Sequence, residues 1–243
     1  MTHAHAEVDA KLLALVEQPM PETIPEVVAR LRAIEDLLGP HDGLHPFTLL
    51  YRLMTEHLDA QAAGFYADPV FIARLDLHFA ETFFDAIRRW LGPNPETTPR
   101  VWKVEFEARH RAGHSKLRRA VTGMNAHINR DLAVALTQTF VELGAAPDDG
   151  TPMHRDYVRI NDVLAETEPL AKACLFDRWF KALESEVGEA DDLAALWSID
   201  RARDLAWTNG HVLWRLRDTP WLYDSWLANM DRLAAVLGRT IMG

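Results

Sequence analysis

The run Gly123-Met124-Asn125-Ala126-His127-Ile128-Asn129-Arg130-Asp131-Leu132 sets five polar side chains into a segment that is otherwise apolar or small. The flanks continue that character, with Ala120 and Val121 before it and Ala133, Val134 and Ala135 after it. A helix that is apolar or small nearly all round is buried on every side. The sequence therefore predicts one long helix over Ser115–Leu143 at the centre of the fold. Its polar side chains then lie in the interior, where each must find a partner or bear a large desolvation cost. Such a cluster is either a structural network or a site.

Hydrophobic periodicity is helical in both directions from this segment, and no run of alternating β-branched residues interrupts it. Upstream, helices are predicted over Val8–Glu17, Pro25–Leu38, Phe47–Ala62, Pro69–Leu91 and Pro99–Ala108. Asp68 can cap and Pro69 open the fourth. Gly39-Pro40 closes the second and Gly92-Pro93-Asn94-Pro95 the fourth. Past the Gly144–Pro152 loop, helices are predicted over His154–Thr167, Pro169–Glu186, Asp192–Arg217 and Pro220–Leu237. The expected fold is all-α, a single helical domain over residues 1–243 with about ten helices around the central one. Residues 1–22 are expected as a loosely attached N-terminal segment.

A net charge of −10 disfavours nucleic acid and anionic membranes as partners. No stretch reaches the roughly 18 unbroken apolar residues of a membrane span. The first ten residues carry His3, His5, Glu7 and Asp9 and lack the apolar core of a signal peptide. The single cysteine, Cys174, allows no internal disulfide and reads as a buried, inert thiol between apolar neighbours. A cytoplasmic location is expected. Glu184, Glu186, Glu189, Asp191 and Asp192 read as a solvated acidic stretch. Eight tryptophans suit a large core or an aromatic-lined pocket.

On a helical wheel of about 100° per residue, Leu117, Val121, Met124, Ile128, Leu132 and Ala135 form one apolar stripe. Asn125 and Asn129 fall on one flank with Arg118 and Thr122; His127 and Asp131 fall on the other. A histidine and a carboxylate one turn apart can share a zinc or iron ion, or act as a general base oriented by an acid. The same pair also suits a buried hydrogen bond that fixes packing. A second set, Trp197, Asp200, Asp204, Trp207, His211 and Trp214, recurs at helical spacing on one face. If that face meets the central helix, Asp204 and His211 complete a four-ligand set with His127 and Asp131. Otherwise Trp207 and Trp214 are core anchors, and Asp200 and Asp204 pair with neighbouring arginines. His78, Glu81 and Asp85 form a third group, read as a surface charge cluster with Arg88 and Arg89.

The central run resembles the hallmark of a bacterial family catalogued only as domain of unknown function 5995. Tyr51–Thr55, Phe65–Asp68 with Pro69, Phe84-Asp85-Ala86, Trp197-Ser198-Ile199, Ala202-Arg203, Ala206-Trp207 and Leu213-Trp214 are similar to it as well. The resemblance implies a helical fold and no established activity. It marks Asn125, His127, Asn129, Asp131, Trp207 and Trp214 as hallmark positions. His127 and Asp131 also match the His-x-x-x-Asp of zinc-dependent phospholipases C and P1-type nucleases, but Thr137 stands where that group has a further histidine. Phe83–Arg88 lacks the aspartate-rich motif of class I terpene cyclases.

Two functions are expected from the sequence. One is an enzyme acting on a small, partly apolar substrate, with zinc or iron as cofactor. In it His127 and Asp131 are ligands or a base–acid pair, Asp204 or His211 completes the set, Trp207 and Trp214 shape the pocket, and Arg130 or Arg118 meets an anionic group. The other is a non-catalytic module that binds a small ligand or a protein, with the same residues as a hydrogen-bond network.

Overall fold

The computed structural model describes residues 3–61, 63–175 and 198–243. Among them the chain is all-α, with no strand. Helix α1 spans His3–Val16, α2 Ile24–Leu38, α3 His45–Asp59 and α4 Pro69–Leu91. A 3-10 turn, Pro95–Thr97, leads into α5, Arg100–Ala108. Then come α6, Lys116–Ala126, a π-helical turn, His127–Asp131, and α7, Leu132–Glu142. Helix α8 covers Pro152–Leu175, α9 Ile199–Leu216 and α10 Pro220–Met242. The acidic stretch from Glu184 to Asp192, Trp197 and the side chain of Cys174 lie outside the described residues. No helix among the described residues is long and apolar enough to cross a membrane.

Local chemistry explains most boundaries. Asp68 accepts the Phe71 N–H at 3.0 Å with Pro69 as first helical residue, and Ser115 accepts the Arg118 N–H at 3.1 Å. Helix α2 stops at Gly39, whose φ of 66° is costly for any residue with a Cβ. Helix α8 runs on through Pro169, where the sequence suggested a break. Helix α1 packs on α4 with Leu12 and Val16 buried, and Asp9 lies 2.7 Å from the Arg109 guanidinium.

Two apolar clusters fill the bundle. The first gathers Val27, Leu31, Phe47, Phe83, Phe84, Trp102 and Ala126 from α2 to α6. The second gathers Phe71, Ile128, Leu132, Leu136, Phe140, Tyr157, Ala206 and Trp207 from α4 and from the π-helical turn to α9. The π-helical turn follows Ala126 of the first cluster and carries Ile128 of the second, so it lies where the two cores meet.

Gly123 sets the distance between α6 and α3. A Cβ there would stand 2.5–2.7 Å from atoms of the Phe47 side chain, well inside contact distance. Overpacking costs about 1–3 kcal/mol, against a gain of about 1 kcal/mol in helix propensity. With three Phe47 atoms inside 3 Å the upper part of that range, about 2–3 kcal/mol, applies, so Gly123→Ala is expected to lower stability by about 1–2 kcal/mol in urea unfolding. A Phe47→Leu background should relieve part of that loss; equal stability of Gly123→Ala and the natural chain would mean that the helices are free to separate.

Candidate functional site

The π-helical turn is where the backbone hydrogen bond lengthens to five residues: the Leu132 N–H reaches the His127 carbonyl. Such turns hold one extra residue and gather at functional positions. Here it brings His127 Nδ1 to 3.3 Å from Asp131 Oδ2. The indole N–H of Trp102, on α5, donates to the same oxygen at 2.7 Å. Arg130 donates to Oδ1 at 2.5 Å. Asp131 is fully buried yet has three donors around it. Burial pushes its pKa up, but the Arg130 charge and the hydrogen bonds from His127 and Trp102 outweigh it and hold the carboxyl below its ordinary value.

His127 is buried in aromatic surroundings. Its ring stacks on Phe79 with centroids 3.5 Å apart and 8° between planes, and it meets Tyr51 edge-on at 4.5 Å. Burial drives its pKa down against the pull of Asp131, so the imidazole is neutral at neutral pH. Nδ1 faces a carboxylate that can only accept, which assigns the proton to Nδ1 and leaves a lone pair on Nε2. Nε2 is sealed from solvent and has no partner among the described residues.

That ring borders a cavity of about 100 Å³ between α3, α4, α8, α9 and the central segment. Leu50, Met54, Leu75, Ile128, Ile160 and Val163 supply apolar wall, and Tyr51, Asp76 and Arg203 supply polar groups. Tyr51 Oη and Asp76 Oδ2, like His127 Nε2, are sealed atoms with no partner among the described residues. Burial, with Asp59 adding its charge, pushes the Asp76 carboxyl up to about 7. Burial first, then Asp76 and Asp131, raise the Tyr51 hydroxyl well above its usual value, so it keeps its proton. The wall thus holds one base, two neutral hydrogen-bond donors and the Arg203 guanidinium in an otherwise apolar setting.

The other expected site residues go elsewhere. Asn125 donates to the Ala234 carbonyl at 2.9 Å and accepts from Asn129 at 2.8 Å, which ties the central segment to α10. Arg118 donates to the Ile241 carbonyl at 2.8 Å. Arg130, by contrast, stays at the centre through its bond to Asp131, with Asp231 3.9 Å from its Nε.

The four-ligand set is not assembled. Among the described residues no three His, Cys, Asp or Glu side chains are grouped to hold a metal ion, and both Asp131 oxygens are engaged by Trp102, His127 and Arg130. Helix α9 does pack along α7 and the π-helical turn, but among the described residues of the expected stripe Trp207 alone is buried there, beside a line of small residues. Ala202, Ala206, Gly210 and Leu213 are its buried line, and a Cβ on Gly210 would meet Leu136 at 3.0 Å. Small residues let the helices approach, and that places Asp200 and Asp204 in solvent. His211 is half-buried, 3.3 Å from the Arg215 Nε that donates to it. Trp207 packs on Phe140, Tyr157 and His154 and donates to Asp149 at 2.9 Å. Trp214 lies under Arg217, 4.0 Å from its ring centre. His78 pairs with Glu142 and Asp85 with Arg88 and Arg89, the surface cluster expected.

Trp102 and Asp76 were not singled out in the sequence, and Tyr51 stood out only as the start of a stretch similar to the family. Asp76 does leave a trace: with Ile72, Phe79 and Phe83 it recurs at spacings of four, three and four, an acid on the apolar stripe of α4. The group weighed on that helix, His78, Glu81 and Asp85, lies on another face.

A family model described as a family of unknown function (DUF5995) matches residues 24–243. No curated protein and no solved structure matches the chain.

Proposed function

The chain belongs to this family of unknown function, DUF5995, and we propose that it is an enzyme that moves a proton on a small, largely apolar carbonyl compound held against His127, Asp76 and Tyr51. The observation that carries this reading is that three residues lining one cavity each carry a sealed polar atom with no partner among the described residues. Each such atom costs about 1–3 kcal/mol in desolvation, which a ligand with matching groups offsets. A cavity of about 100 Å³ is of the same order as a void of about 150 Å³ that takes up benzene.

The chemistry follows from the protonation states. His127 Nε2 holds a lone pair and accepts a proton from the carbon beside the carbonyl. Negative charge then builds on the carbonyl oxygen. Tyr51 donates to it, and so does Asp76 in its neutral form, because a carboxylic acid kept protonated by an apolar site is a hydrogen-bond donor. Asp131 positions the imidazole through Nδ1 and stabilises the imidazolium that forms. Nε2 returns the proton to the substrate. A purely structural network accounts for Asn125 and Asn129, whose amides are satisfied, and leaves His127 Nε2 without a role.

Proton exchange in deuterated water, followed by NMR on cyclohexanone, 2-pentanone and 2-oxobutanoate, tests the proposal. The protein should accelerate exchange at the carbon beside the carbonyl. His127→Gln should lower the rate about 100-fold or more, the usual scale of a general base, and Tyr51→Phe by a smaller factor. Binding without exchange would make the cavity a non-catalytic ligand site. Neither binding nor exchange with any of the three would overturn the reading.

A further inference from the structure

Resting on that reading of the cavity, we infer that the substrate is an oxo-carboxylate whose carboxylate pairs with Arg203. Arg203 projects from α9 and is 5% exposed. Among the described residues it is the one Lys or Arg on the cavity wall. Its partners there are neutral. Nε donates to Asn161 Oδ1 at 2.6 Å, Nη2 donates to the Tyr157 carbonyl at 2.6 Å, and the guanidinium sits 4.3 Å from the centre of the Tyr157 ring. These contacts orient the group without neutralising it. Nη1 has no partner among the described residues, and none of their carboxylates lies within ion-pair distance of Arg203.

Arg109 shows the contrast. Equally buried, it has Asp9 at 2.7 Å and Asp42 at 2.8 Å. A buried charge is normally paired in this way, because removing an ion from water costs several kcal/mol that only a counter-charge returns. At Arg203 the nearest candidates, Asp200 and Asp204 on the same helix, are turned to solvent. Burial also pushes the guanidinium pKa down, and the electrostatic pull of Tyr157, Asp200 and Asp204 opposes it only in part. The planar fork of a guanidinium fits a carboxylate closely. With the rest of the lining mostly apolar, a small monoanion suits the space better than a phosphate, whose second charge has no cation to meet among the described residues. A substrate spanning the cavity then presents its carbonyl to His127, Tyr51 and Asp76 and its carboxylate to Arg203.

The test compares binding of 2-oxobutanoate and 2-pentanone to the full chain by calorimetry. A charge-assisted contact should make 2-oxobutanoate about 10- to 100-fold tighter. Arg203→Met should abolish that preference and leave 2-pentanone unchanged, and Arg203→Lys should retain part of it. Equal or tighter binding of 2-pentanone by the natural chain would overturn the carboxylate anchor while the proton-transfer reading stands. A preference that survives in Arg203→Met would also overturn it. Failure of both compounds to bind would overturn the carboxylate anchor, and absence of binding and exchange with cyclohexanone as well would remove the proton-transfer reading with it. The comparison within the natural chain needs no variant to fold.

Discussion

Asp131→Ala is expected to lower stability by about 3–5 kcal/mol, the scale for removing one partner of a buried ion pair. The carboxylate is fully buried and accepts from Trp102, His127 and Arg130 together. Alanine leaves the Trp102 indole N–H in the core without an acceptor, at about 1–3 kcal/mol, and leaves the Arg130 charge facing a void. Domains of this kind are stable by about 5–15 kcal/mol in total, so the variant should unfold at a much lower urea concentration. Asp131→Asn keeps the shape and part of the hydrogen bonding, and should lose less. A Trp102→Phe background should shrink the penalty, because the two residues share one contact and their effects do not add. A loss below about 1 kcal/mol for the alanine variant would mean that the carboxylate does not hold the turn together.

The second large effect is in pH. Burial raises Asp76 from 3.8 to about 7. Burial also raises Glu105, on α5, from 4.5 to about 8, with Arg119 opposing and Asp42 adding to it. Both Glu105 oxygens are sealed and have no partner among the described residues. Each acid is therefore protonated when folded and ionised when unfolded over the window between its two pKa values. The folded state binds more protons there, so stability falls as pH rises through that window. At about 1.4 kcal/mol per pH unit, the loss approaches about 4 kcal/mol for Asp76 above pH 7 and about 5 kcal/mol for Glu105 above pH 8. His45, His110 and His127, whose pKa values are lowered first by burial, work in the opposite sense, losing stability as pH falls below their ordinary range. The net profile of the natural chain mixes the two, and single variants separate them. The stability of Asp76→Asn relative to the natural chain should climb from pH 4 to 7 and then level off. That of Glu105→Gln should climb to about pH 8. A relative stability that does not change with pH would mean that the acid is solvated in the folded state.

Helices and their ends were legible because the signals are local. Periodicity, the Asp68 cap with Pro69, and the stop at Gly39 act within a turn or two of where they stand. His127 and Asp131 stood out for a related reason, since polar residues in an apolar segment announce an interior cluster before any partner is known. Even there the wheel was only approximate. A regular helix over Ser115–Leu143 has no place for the π-helical turn, which shifts the angular position of everything after it. The partners of the pair came from far along the chain. Trp102 and Tyr51 reach it from α5 and α3, Asp76 of α4 lines the same cavity, and no local signal links them to His127.

The α9 stripe of tryptophans, acids and a histidine read as the face toward the centre because its residue types look functional. Packing chose Ala202, Ala206, Gly210 and Leu213 instead, because close approach of two helices rewards small side chains and burying Asp204 beside them would have cost a desolvated charge. The sequence by itself determined the helical class, the helix ends marked by a cap or a glycine stop, and the presence of a buried polar centre, since these rest on chemistry within a few residues; at Pro169 it suggested a break that packing did not make. Which side chains close around that centre, and which of its polar atoms are left without a partner, depended on contacts between distant segments and was settled only by the tertiary structure.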